Sequence, residues 1–272
     1  EIKYLSEGKM VEITAENNID NKIIFRYLED LNGNKINILS FDYNEKNLKS
    51  NSVIFDESHG QTAGNADWTI STGFSDMGDQ LASMGKGVYS EKAEISKDVL
   101  NMFNVLVIPE PNKPFTKEEE KIITDFVKNG GKLFLIGDHG GADRNGNGWD
   151  AVKIFNNFVG EFGFTFAGDD LEEAPLENIY KHDITDNIKE IGVWNGSSFL
   201  LKKDNIEVLI ADKENKPFLI LTDYYNGKII AIGDSSPFDD GTGTSGKMLH
   251  NGWQWGDDEE LSYNIFNYLT SY

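Results

Sequence analysis

Four uninterrupted apolar runs in this chain each close on an acid. They are Val53-Ile54-Phe55-Asp56, Val105-Leu106-Val107-Ile108-Pro109-Glu110, Leu133-Phe134-Leu135-Ile136-Gly137-Asp138 and Ile229-Ile230-Ala231-Ile232-Gly233-Asp234. Runs of Val, Ile, Leu and Phe with no polar alternation suit strands buried on both faces, the condition of a parallel sheet covered by helices. Helical patterns lie between them. Phe74, Met77, Leu81 and Met84 recur at helical spacing ahead of Gly85 and Gly87. Thr116-Lys117-Glu118-Glu119 reads as a capping box before Ile122, Ile123, Phe126 and Val127, with Gly130-Gly131 as the stop. Val152, Phe155, Phe158 and Val159 mark a third helix, and Leu261, Ile265, Phe266 and Leu269 a fourth. Segments 207–211 and 217–222 read as a hairpin, 164–166 as a short strand, and the acidic stretch 168–200 as a flap or insertion. The alternation predicts an α/β domain over residues 51–272, with a doubly wound, mostly parallel sheet of the flavodoxin-like or amidotransferase-like kind. Residues 1–50 read differently. Short strands at 9–14, 22–28 and 35–41, divided by Asn17-Asn18 and Asn32-Gly33-Asn34, predict a small antiparallel β appendage.

Composition narrows the chemistry. The chain has no cysteine, which excludes a thiol nucleophile, a thiolate zinc site and any disulfide. Its formal charge of −21 repels phosphate backbones, so nucleic acid is disfavoured as a partner unless a metal bridges the two. The same surplus of acids suits plain solubility, or a hard cation gathered among carboxylates. No apolar run approaches the roughly 18 residues of a membrane span. The chain opens Glu-Ile-Lys without a charged-then-apolar leader, as a processed or trimmed product would, and an extracytoplasmic or secreted location is the expectation.

Ligands of open α/β sheets bind outside the carboxyl ends of the strands, so the acids that close the four runs predict a site on one rim. The loop after the first run holds Asp56, Glu57, His59, Gln61 and Trp68, and far exceeds the roughly two to six residues such a connection needs. His59 alone is equally well read as a hydrogen-bonded loop histidine. Asp138 and His139 sit directly off a central strand. Beyond them Asp143, Asn145, Asn147 and Gly148 match the opening of an oxygen-ligand calcium loop, but the twelfth position is Ile154 rather than a bidentate Glu. The plainer reading is an Asn/Gly turn that caps the next helix through Asn147 or Asp150. After the last run, Asp234, Asp239, His250, Trp253 and Trp255 share one irregular segment; the indoles suit a sugar or base, or simply pack the final helix. Glu110 stands between Pro109 and Pro111, a bracket that favours turning its loop away from the rim.

The motifs VIFD with HGQTAGNADWTI, VLVIPE, LFLIGDH with GADRNGNGWD, and IIAIGDSSPFDDGTG together resemble class I glutamine amidotransferase-like domains. More narrowly, they are similar to the branch without the catalytic cysteine, shared by bacterial secreted proteins and intraflagellar-transport-type proteins. The resemblance covers roughly residues 51–272. It sets Gly137-Asp138-His139-Gly140-Gly141 where glutaminases of the superfamily carry Gly-x-Cys-x-Gly, so thioester chemistry is not expected. Related bacterial chains are often preceded by a small β domain.

Two functions follow as alternatives. As a hydrolase, His59, Asp138, His139 and Asp234 would carry catalysis around a water. A divalent cation (Zn, Mn, Mg or Ca) would rest on Asp56, His59, His139, Asp143, Asn145 and Asn147. Glu57, Gln61, Trp68, Glu110, Asp239, His250 and Trp253 would line the place of a small molecule or carbohydrate. As a non-catalytic module, the same rim would hold a carbohydrate or a protein, with any cation purely structural. Fold does not choose between them.

Overall fold

A computed structural model describes residues 52–172 and 175–271 together with the strands of the first fifty residues. Those strands are β1 (Ile2–Ser6), β2 (Lys9–Asn17), β3 (Ile23–Glu29) and β4 (Lys35–Ile36). They pair antiparallel in the order β1-β2-β3-β4. The end of the third predicted strand, the connector at 42–47 and the pair Glu173-Ala174 fall outside the described residues, in whole or in part.

The main sheet takes up the four apolar runs as β5 (Ser52–Asp56), β9 (Val105–Pro109), β10 (Lys132–Ile136) and β16 (Gly227–Ile232). A fifth parallel strand, β8 (Gly87–Glu91), lies at the edge beside β5. Gly87 therefore opens a strand, where the sequence reading made it part of a helix stop. The half-buried pattern of GVYSE is that of an edge strand, which lacks the apolar run that betrays the others. Across the sheet the parallel strands stand as β16-β10-β9-β5-β8. In order of appearance that is 5-4-3-1-2, the flavodoxin-like order, whose switch point falls between β5 and β9. Beyond β16 the sheet turns antiparallel through β15 (Pro217–Tyr224), β14 (Glu207–Ala211) and the two-residue β12 (Asn178–Ile179). The predicted hairpin is the β14–β15 pair.

Within each buried strand, alternate residues enter two different cores. Val53, Phe55, Val107, Phe134, Ile136, Ile230 and Ile232 face one side, where Met77 and Leu81 of α1 (Ser75–Ser83) and Leu261, Ile265 and Phe266 of α5 (Asp258–Thr270) cover them. Ile54, Leu106, Ile108, Leu133, Leu135 and Ile229 face the other. There they meet Ile123 and Val127 of α3 (Lys117–Lys128) and Ile154 and Phe155 of α4 (Ala151–Asn156). A short α2 (Lys97–Leu100) precedes β9. The sequence pattern lacks alternation because both faces are apolar.

The third predicted helix is shorter than its apolar spacing suggested. It ends at Asn156, and Val159–Phe162 form a 3-10 turn leading to β11 (Phe164–Phe166). β11 pairs with β13 (Phe199–Leu201), outside the main sheet. The stretch between them is no loose flap. Ile184, Ile188, Ile191 and Val193 are buried in the first core, and Leu176 bridges Ile191. This packing explains the Gly-Asp pairs behind β10 and β16: a Cβ on Gly137 would collide with the Phe166 ring, and one on Gly233 with the Ser197 carbonyl.

Candidate functional site

The rim acids form two buried groups rather than one open basin. The first is built on the loop after β5, which also holds the small hairpin of β6 (Thr62–Ala63) and β7 (Ala66–Asp67). His59 is 1% exposed and Asp56 fully buried. His59 Nδ1 lies 2.9 Å from Asp56 Oδ2, and Nε2 lies 3.3 Å from Glu119 Oε1. Both ring nitrogens thus face carboxylates, with the ring 3.9 Å from that of Phe115. Ser58 Oγ and Gln61 Nε2 donate to Asp56 at 2.7 and 3.1 Å, and Gln61 Oε1 accepts from His59 N at 2.8 Å. Gln61 and Trp68 are completely buried. Glu57 accepts from Ile70 N at 2.9 Å.

Glu119 has two tasks. It completes the capping box of α3, accepting from Thr116 N and Oγ1 at 2.9 Å each, while its other oxygen meets Ile95 N and His59. Burial pushes its pKa up, but donation from Thr116 and Ile95, together with the charge of His59, outweighs burial and holds the carboxyl below its usual range.

The second group surrounds Arg144, one of two arginines in the chain. Its Nη2 donates to Asp138 Oδ2 at 2.7 Å and its Nε to Glu110 Oε1 at 3.3 Å. Ser235 Oγ donates to Glu110 Oε2 at 2.5 Å, and His139 N to Asp138 Oδ1 at 2.7 Å. Glu110 and Asp138 are 1% and 2% exposed. Burial first, then the charge of Asp138, drives the Glu110 pKa well above the ordinary carboxylate value, against the pull of Arg144. Glu110 adopts φ +26°, sparsely populated for any residue but glycine. That turn carries it inward to Arg144 and Asp138, so the expectation that its prolines direct it away from the rim is corrected. The strained position sits here, and neither Asp138 nor His139 has positive φ.

Asp234, fully buried, accepts from Trp194 N at 2.6 Å and Ser236 N at 2.9 Å. Burial, then the nearby charge of Asp138, pushes its pKa up to about 7. Asp138 thereby links Glu110 and Asp234 into one acid group. The two groups meet through backbone: Asn112 N donates to His59 O at 2.7 Å, and Asn112 Nδ2 to Glu110 O at 2.8 Å.

The remaining predicted residues are dispersed. His139 is half-buried, with Nδ1 3.0 Å from Gly140 O. Asp143 spends its two oxygens on Asn147 N and Gly148 N, Asn147 Oδ1 accepts from Trp149 N, and Asn145 is exposed. Asp150 caps α4 by accepting from Lys153 N at 2.8 Å, the plainer of the two readings of this loop. Among the described residues no three His, Asp or Glu side chains are grouped as a metal shell. The proposed metal set is divided between the buried Asp56–His59 pair and the surface turn. Asp239 accepts from Gly241 N and His250 N, burial raising its pKa to about 7. Trp253 is 5% exposed and belongs to the core, so it offers no face to a ligand. The half-exposed aromatics nearby are Trp194, His250 and Trp255.

Sequence reasoning missed Arg144, Ser235, Glu119 and Trp194. Arg144 had a signal: a rare arginine in a loop of an acid-rich chain, off a strand that ends in Asp. Glu119 was visible only as a helix cap.

A family model described as the IFT52 GIFT domain matches residues 52–181. No curated protein matches. Among solved structures, the mmIFT52 N-terminal domain has a TM-score of 0.65 at 16% identity, over 81% of this chain and 98% of that one. Two cytoplasmic proteins from Salmonella typhimurium follow. One has TM-score 0.57 at 14% identity, over 80% of this chain and 99% of its own. The other has 0.55 at 16%, over 80% and 98%. At these identities the likeness is one of fold. No helix among the described residues is long and apolar enough to cross a membrane.

Proposed function

We propose that this chain is a non-catalytic protein-binding module of the cysteine-less amidotransferase-like branch, in which the ancestral site has become an internal lock. One observation carries the reading: the acids and His59 at the strand ends are buried and spent on one another. His59 is closed between Asp56 and Glu119, and Arg144 between Glu110 and Asp138. A general base needs a free lone pair within reach of substrate, and a nucleophile needs access. The similarity to the IFT52 GIFT domain model supports the same reading.

A hydrolase is the second reading, favoured by the Glu110–Asp138 carboxyl pair beside the half-exposed His139. The test measures turnover of ester, glycoside and phosphoester substrates with and without Zn, Mn, Mg or Ca, beside bound-metal analysis, for the unaltered protein, His139→Ala and Asp138→Asn. The binding reading expects no turnover above background in any of them, and a lower melting temperature for Asp138→Asn. Turnover that disappears in His139→Ala at unchanged melting temperature would sink it.

A further inference from the structure

The end of the sheet opposite the acid rim carries a surface that neither the fold nor the lock requires. The β15–β16 hairpin turns at Tyr225 and Asn226. Tyr225 stands there with φ +52° and is 70% exposed. A two-residue hairpin that needs positive φ at its first position usually takes Gly, Asn or Asp, and a bulky side chain there is an outlier. Burial does not explain the choice, since the ring lies in solvent. It stands edge to face with Tyr224, centroids 4.9 Å apart, and Lys128 Nζ sits 4.8 Å from its centroid. Lys203 Nζ lies 5.8 Å from the Tyr224 centroid, and its stem crosses Gly163, where a Cβ would collide with it. Both ammonium groups are thus held in place against aromatic rings.

A shallow cleft of about 430 Å³ is lined by Glu161, Lys203, Asp223, Tyr224 and Tyr225. The carboxylates around it are already engaged. Asp223 pairs with Lys228 at 2.7 Å, Asp125 with Lys121 at 2.6 Å, and Glu161 accepts from Tyr224 Oη at 3.3 Å. Lys128 and Lys203 have no carboxylate within 4.0 Å among the described residues; Lys203 donates only to the Glu161 carbonyl at 3.2 Å. In a chain of net charge −21, this leaves two ordered cations outside any close ion pair beside an exposed tyrosine, Lys128 acting on Asp125 only at longer range. Leu200 and Leu201, 56% and 37% exposed, close β13 just ahead of Lys203. Exposed tyrosine is enriched at protein contacts, and cations without an ion-pair partner steer and select a partner of opposite charge.

We propose that Tyr225, Tyr224, Lys128 and Lys203 form the docking surface for an acidic segment of a partner protein. The proposal rests on the binding-module reading and names the partner's chemistry. Its probe is a fluorescein-labelled poly-glutamate peptide with a phenylalanine at every third position, followed by anisotropy. Binding should weaken about tenfold, about 1.4 kcal/mol, in the Lys128→Glu/Lys203→Glu double variant. Tyr225→Gly should weaken it similarly while its melting temperature stays equal or rises, because glycine accepts positive φ without strain. No binding of the acidic probe, or equal binding by all variants, would overturn the proposal. So would a Tyr225→Gly protein that melts lower and binds as before, since the tyrosine would then be structural. Binding of a neutral oligosaccharide that depends on Tyr225 in place of the peptide would overturn it in favour of a sugar. These outcomes leave the rim untouched, so turnover and melting of the rim variants still decide the binding-module reading separately.

Discussion

At the scale of single residues, Arg144 bears the most. It sets its cation against the buried Asp138 carboxylate and also donates to Glu110, whose pKa stays well above the ordinary carboxylate range. Replacing it with Met leaves Asp138 buried without its cation, and removing one partner of a buried ion pair costs about 3 kcal/mol. Arg144→Met should therefore unfold at markedly lower urea concentration, with an unchanged slope in the denaturation curve. Glu110→Gln is the informative contrast. The raised pKa of Glu110 means that the amide imitates the protonated acid, so this variant should lose only about 1 kcal/mol. The acids of this site were legible in the sequence because an apolar strand in a parallel sheet must end at the rim. Their partners were not. Nothing local to Glu110 announces that Ser235, 125 positions later, will donate to it. Its left-handed backbone is likewise set by the packing around it and not by the Pro-Glu-Pro sequence.

At the scale of elements, α3 and the loop after β5 share one carboxylate. Thr116→Ala removes a cap and should cost about 1 kcal/mol. Glu119→Ala removes both the reciprocal half of the capping box and the partner of His59, and should cost about 2–3 kcal/mol. A double-mutant cycle with His59→Ala, read by chemical denaturation, should give a coupling energy of about 1 kcal/mol or more; additivity would mean that the 3.3 Å contact contributes nothing. The capping box could be read from Thr116-Lys117-Glu118-Glu119 because its partners are three residues apart. The clasp on His59 could not, because its partners come from different layers. Strand β8 escaped for a related reason: an edge strand half open to solvent has no continuous apolar run.

At the scale of the whole molecule, buried acids set the response to pH. Burial raises Asp234 and Asp239 to about 7 and Asp258 to about 9. The unfolded chain releases these protons near pH 4, so the folded state holds more of them above that value. Their contribution to stability is complete below about pH 4 and is lost as pH rises through about 7 and then about 9. Melting temperature should fall between pH 5.5 and 8.5, and Asp258→Asn should flatten that fall, sparing about 1.4 kcal/mol or more at pH 8.5. A flat profile in the unaltered protein would contradict the buried-acid account. One further bond has a meaning in time. The first turn of α1 is capped by Asp240, which accepts from Ser75 N at 2.7 Å and Asp76 N at 3.1 Å across more than 160 positions of chain. During synthesis, the ribosome has released α1 long before Asp240 emerges. The helix waits unfastened while more than 160 further residues are made, so this sheet cannot be completed strand by strand and is fastened only when the loop after β16 arrives.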